Sequence, residues 1–120
     1  MKWNNCWPVM RIEWSEDSRE DLRAILSYVG SSFGGKKAEE VLFEIHDTVN
    51  LLTDFPMMGK EFVNDPVTGA SYHTIPSKLH QIVYYVEGET INIVAVWNNR
   101  RDIRRLKRRL RRLLRKNTIS

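Results

Sequence analysis

"SEDSREDLRAILSYVGSSFGGKKAEEVLFEIHDTVNLLTDFPMMG", residues 15–59, decides the fold of this 120-residue chain. Leu22, Ile25, Leu26, Val29 and Phe33 recur every three or four positions, so the first half predicts a helix with one face to bury. Ser15 opens it in the pattern S-x-x-S of an N-cap, and Glu16, Asp17, Glu20 and Asp21 sit near the positive end of its dipole. Gly34 and Gly35 stop it, and a second stripe follows at once: Ala38, Val41, Leu42, Ile45, Val49 and Leu52. Pro56 and Gly59 end that helix. Two helices of about seventeen and twenty residues, joined by one or two, must lie antiparallel as a hairpin.

On either side the period changes from helical to alternating. "MRIEWS" (10–15) places Ile12 and Trp14 on one face of a short strand. Past Gly59, "KEFVND", "SYHTIP", "HQIVYYV" and "TINIVAVW" are short, β-branched and aromatic segments separated by turn residues. The last two pairs have tight connections and predict antiparallel neighbours. The fold class is therefore α+β: an antiparallel twisted sheet packed by an N-terminal α-helical hairpin, closed by a basic C-terminal helix. Residues 10–120 read as a single domain. Residues 1–9, "MKWNNCWPV", are broken by Pro8 and read as a disordered extension ahead of an alternative start at Met10; the other reading has Trp3 and Trp7 cover an apolar patch.

Composition narrows the function classes. The chain is 42% hydrophobic, enough for a modest core. Its longest apolar runs, "IVYYV" and "IVAVW", have strand length and cannot span a membrane, and no signal peptide opens it. A lone Cys6 forms no intrachain disulfide, and no Cys/His pair has zinc-ligand spacing. The expectation is a cytoplasmic protein without metal, cofactor or membrane partner.

The net charge of +4 hides a split. Residues 1–99 carry 8 Lys and Arg against 14 Asp and Glu, whereas residues 100–120 carry 11 against Asp102 alone. Inside "VWNNRRDIRRLKRRLRRLLRK" (96–116), Ile103, Leu106, Leu110 and Leu113, widened by Leu114, make one apolar stripe. Such a helix must dock, on its own sheet or on a partner, because each buried side chain of this size is worth roughly 1.5–3 kcal/mol. Its other face, with Arg104, Arg105, Arg108, Arg109, Arg111, Arg112 and Arg115, is expected to stay outward and to meet a polyanion or an acidic segment.

The ordered set W-S-x-x-x-x-x-D-L-x-x-I-x-x-Y, L-x-x-F-P-x-x-G, I-V-Y-x-V and "NNRRD" after the last strand resembles the RelE/ParE superfamily, over residues 10 to 107. These are toxins of bacterial type II toxin–antitoxin modules, which serve plasmid stabilisation. The resemblance implies a cognate antitoxin as partner and leaves room for a homodimer. ParE-like members inhibit DNA gyrase, whereas RelE-like members are endoribonucleases that cut mRNA on the ribosome.

The second activity needs groups that activate a 2′-hydroxyl and stabilise a phosphorane. Where the RelE-like pattern alternates lysines on a strand, this chain has His73 and Ile75; where it places an arginine before "I-V-Y", Gln81 stands beside His80. Arg101 matches the basic residue after the last strand, and no tyrosine or histidine follows Lys107. A nuclease would have to be rebuilt from His73, His80 and Arg101, assisted by Lys78 and Tyr84. The long hairpin and the loss of strand cations resemble the ParE-like branch instead. The candidate target- or antitoxin-binding residues are Arg100, Arg101, Arg104, Arg105, Leu106, Leu110 and Leu113. A third reading, outside the toxins, is a nucleic-acid-binding module built on the Arg-rich helix.

Overall fold

A computed structural model describes residues 10–64, 69 and 71–119, with side chains to residue 113. The expectations for residues 1–9, Leu114 and Arg115 fall outside these. The element order is β1 (Arg11–Trp14), α1 (Glu16–Phe33), α2 (Gly35–Asp54), β2 (Lys60–Asn64), β3 (Ser71–Ser77), β4 (His80–Glu87), β5 (Thr90–Asn98) and α3 (Ile103–Ile119). Among the described residues no helix is long and apolar enough to cross a membrane.

The cap of α1 is the one the spacing predicts. Ser15 Oγ accepts from the Ser18 N–H at 3.1 Å, and Ser18 Oγ donates back to the Ser15 carbonyl at 2.8 Å. Gly34, at φ 97°, serves as both the last cap of α1 and the first of α2, so the hairpin turns on a single residue. Phe33 departs from expectation. It stands at the hairpin tip, 68% exposed, whereas Val29 one turn earlier is buried.

The five strands form one sheet in the order β1-β5-β4-β3-β2. The sheet is mixed, not purely antiparallel: β1 runs parallel to β5, with Ile12 opposite Ile91 and Trp14 opposite Ile93. A parallel pair needs a long crossover. Here the helical hairpin and three strands supply it, so alternation in "MRIEWS" could not reveal its direction. Two-residue turns join β3 to β4 at Lys78–Leu79, and β4 to β5 at Gly88–Glu89. Lys78 adopts a left-handed φ of 55°, and its ammonium lies 3.3 Å from Glu44 of α2.

Both faces of the sheet are covered. On one face Val41, Ile45, Val49 and Leu52 of α2 pack with Val29 onto Ile75, Ile82, Tyr84, Ile91, Ile93 and Val96. On the other, Leu106 and Leu110 of α3 pack onto Tyr72, Val83, Val94, Ala95 and Trp97. Burial on two sides explains why β5 reads as an almost continuous apolar run. Tyr84 is fully buried, and its hydroxyl accepts from the Gly59 N–H at 2.9 Å and donates to the Pro56 carbonyl at 3.0 Å. A Cβ on Gly59 would overlap that ring, so this glycine is fixed by a tertiary contact as well as by the helix stop.

β1 is short and pairs only with Thr90–Ile93, leaving the second half of β5 with an open edge. Val94 has no partner in the β4 register, which skips from Ala95 to Ile93. Two side chains close this edge. Asp21 of α1 accepts from the Val96 N–H at 3.0 Å, and Arg109 of α3 donates to the Val94 carbonyl at 2.7 Å. The two also pair with each other at 3.2 and 3.1 Å, their side chains 12% and 14% exposed. Arg109, expected on the outward cationic face, is thus turned inward by backbone groups that would otherwise lack partners.

Candidate functional site

His73 lies on β3 opposite Tyr84, its ring stacked on the tyrosine at 5.7 Å between centroids. His80 opens β4 opposite Asn98 and is buried, which pushes its pKa below the ordinary value, against a smaller upward pull from Glu44. Tyr84, the partner of His73, lies four positions along β4 from His80, roughly 13 Å at ~3.3 Å per residue. Both rings face the helical hairpin. Arg101 stacks its guanidinium 4.0 Å above the Trp97 ring, and Trp97 belongs to the α3 side.

His73 therefore shares no reaction point with His80 within the hydrogen-bond reach that acid–base catalysis needs, whereas His80 and Arg101 line one cleft beside the helical hairpin. On the sheet face toward α3, Thr74 Oγ1 donates to Gln81 Oε1 at 2.8 Å, so the position where a strand arginine would sit holds a neutral pair.

Of the expected binding residues, Leu106 and Leu110 are core side chains at 1% and 0% exposure and offer nothing to a partner. The stripe docks on its own sheet, which resolves the alternative left open by the sequence. Leu113 is half-buried against the same cluster. The exposed remainder, Arg100, Arg101, Arg104 and Arg105, continues along α3 through Arg108, Arg111 and Arg112. Asp102 begins the helix: its carboxylate accepts from the Arg104 N–H at 2.9 Å and from the Arg104 guanidinium at 3.2 Å. These bonds, backbone first, lower its pKa, and the neighbouring Arg108 and Arg105 add to the effect.

Arg100 and Arg101 also border a second feature that sequence reading missed. A cleft of about 630 Å³ runs between α1, the start of α2, the Lys78–Leu79 turn and the end of β5. Its floor is apolar (Ile25, Val29, Val41 and Val96), and Lys37, Arg100 and Arg101 stand at its rim. Tyr28, Phe33 and Leu79, which also line it, are 66%, 68% and 61% exposed. The Asn99 N–H donates to the Leu79 carbonyl at 2.9 Å, which ties the two turns at this end together. Apolar side chains left in water beside three cations suit an amphipathic acidic ligand. Phe33 was the available signal: an aromatic residue directly before Gly-Gly stands at a hairpin tip.

Comparison with known proteins agrees with this architecture. Residues 12–103 match the family model described as the ParE toxin of the type II toxin–antitoxin system, parDE. Among solved structures, the chromosomal ParDE toxin–antitoxin system from P. aeruginosa superposes with a TM-score of 0.59 at 22% identity, covering 75% of this chain and 96% of that one. The YoeB dimer from Staphylococcus aureus gives 0.49 at 18% identity, over 75% and 97% of the two chains. The YoeB/ParE toxin from Agrobacterium tumefaciens gives 0.48 at 17%, over 74% and 98%. No curated protein matches the chain.

Proposed function

We propose that this chain, which belongs to the ParE toxin family of type II toxin–antitoxin systems, arrests growth by inhibiting DNA gyrase in the cytoplasm and is neutralised by its cognate antitoxin. The observation that carries the reading is the family match over residues 12–103. The placement of His73 and His80 supports it. Both face the helical hairpin, apart from one another, and an mRNA substrate would meet no shared acid–base pair. A gyrase inhibitor needs a contact surface and no hydrolytic centre. Arg100, Arg101, Arg104 and Arg105 supply that surface at the junction of the cleft and α3.

Neutralisation follows from the same junction. An acidic amphipathic antitoxin segment would place apolar side chains against Tyr28, Phe33 and Leu79, and carboxylates against Lys37, Arg100 and Arg101. It would cover the arginines that the target needs. Plasmid stabilisation is the physiological setting this arrangement fits.

The test adds purified protein separately to a gyrase supercoiling assay and to a ribosome translation assay carrying labelled mRNA. Loss of supercoiling with intact mRNA is the expected result. Codon-positioned mRNA cleavage with normal supercoiling would overturn the proposal. Replacing Arg100, Arg101, Arg104 and Arg105 together by Ala should abolish growth arrest on induction, while the far-ultraviolet circular dichroism spectrum stays unchanged.

A further inference from the structure

Beyond Arg104 and Arg105, the exposed cations of α3 have no role in the scheme above. Arg105, Arg108, Arg111 and Arg112 border one concavity of about 430 Å³; Arg104, Lys107, Arg108 and Arg111 border a second, with Asp102 at its end. The cations thus fan out to two sides of the helix. Like charges three and four residues apart repel. Here the repulsion is tolerated because Leu106, Leu110 and Arg109 fasten the opposite side of the helix into the fold. Such a concentrated single-sign field is the kind of surface that steers a polyanion.

The side chains present select the kind of polyanion. A protein partner would need apolar area at the centre of its footprint. Among the described residues, this face offers only Ile103, at its N-terminal end. Single-stranded nucleic acid is held by aromatic stacking, and α3 carries no aromatic residue. The deep, narrow major groove of A-form RNA does not admit a helix, whereas the B-DNA major groove, about 12 Å wide, does. Between Arg104 and Arg112 there is no Asn, Gln, Ser or Thr, so adenine, thymine and cytosine have no reader here, and the cations that could contact guanine lie toward the flanks. A helix with guanidinium groups on both flanks matches the two phosphate rows that border such a groove.

We infer that the outer face of α3 is a binding site for the phosphate backbone of duplex DNA, without sequence preference and without any need of a target protein. Arg105, Arg108, Arg111 and Arg112 carry it. The inference does not depend on gyrase being the target, and its assay contains no gyrase.

Fluorescence anisotropy of a labelled 20-base-pair duplex of arbitrary sequence, titrated with the full chain, tests it. Four phosphate contacts should give a log–log salt slope of about −3.6, so affinity falls roughly 150-fold between 50 and 200 mM salt. The variant Arg105→Gln/Arg108→Gln/Arg111→Gln/Arg112→Gln should lose most of both affinity and slope, whereas the corresponding four Arg→Lys replacements should retain most of the slope. An unchanged affinity in the Gln variant would overturn the inference, as would a single-stranded oligonucleotide or an RNA duplex bound as tightly as DNA. The replaced side chains are all exposed, so the Gln variant should keep its unfolding midpoint.

Discussion

Replacing Arg109 by Met would remove the guanidinium from the edge of β5 and keep most of the aliphatic volume. Three hydrogen bonds would go: two to Asp21, at 3.2 and 3.1 Å, and one to the Val94 carbonyl at 2.7 Å. The Asp21 carboxylate, 12% exposed, would be left with the Val96 N–H, and the Val94 carbonyl would lose its guanidinium donor. Breaking a buried ion pair from one side costs ~3–5 kcal/mol. Partial exposure of both side chains and the surviving Val96 bond favour the lower end, about 3 kcal/mol. That is a large share of the roughly 5–15 kcal/mol that holds a domain together. Arg109→Lys keeps the charge but not the fork, and should cost about half as much.

The assay is equilibrium urea unfolding at pH 7, with Arg111→Met as an exposed control on the same helix. Adding Asp21→Asn to Arg109→Met should recover part of the loss, because the amide oxygen can still accept from Val96 without leaving a charge unpaired. A coupling of roughly 2 kcal/mol between the two sites is expected. The reasoning fails if Arg109→Met falls within about 0.5 kcal/mol of the control, or if the two sites prove additive.

Gly59→Ala would force a methyl group into the Tyr84 ring and should destabilise by roughly 1–3 kcal/mol; an unchanged urea midpoint would show that the Pro56–Gly59 turn can shift freely. His80 supplies a pH signature. Its folded pKa lies below the ordinary 6.5 because burial disfavours the imidazolium, so the unfolded chain binds the extra proton. Stability from this residue is present above pH 6.5 and is lost as pH falls from there toward the folded value. Unfolding free energies measured between pH 5 and 8 should flatten in His80→Gln, and an identical slope in the two proteins would refute the assignment.

The hairpin, its Ser15 cap and the three or four later strands were legible because each is encoded by near neighbours: a period, a cap spacing, a turn residue. What stayed hidden depends on partners far along the chain. The direction of β1 is set by a strand 79 residues away. The open half of β5 is invisible in "IVAVW", which looks the same whether or not a neighbour covers it. Yet the residues that close it did leave a trace. Leu106, Arg109, Leu110 and Leu113 follow i, i+3, i+4, i+7, and so do Ser18, Asp21, Leu22 and Ile25. Each buried stripe carries one charge at the same place, of opposite sign. The Arg-rich composition obscured which of the arginines mattered, and the apolar cleft escaped notice because it is assembled from α1, α2 and two turns that no local pattern links.

The closed edge of β5 also bears on how the molecule is made. Translation delivers β1 and the helical hairpin first, while β5, which pairs with both β1 and β4, arrives late and the residue that seals it later still. Until Arg109 leaves the ribosome, the Val94 carbonyl lacks its guanidinium donor and only Asp21 guards the flank of β5, and a bare strand edge is a template for pairing with other chains. Tertiary structure therefore cannot accrue steadily with chain growth. The newborn polypeptide stays unfinished until its last helix emerges, and the arginines that arrive with that helix complete the fold and its cationic face in the same event.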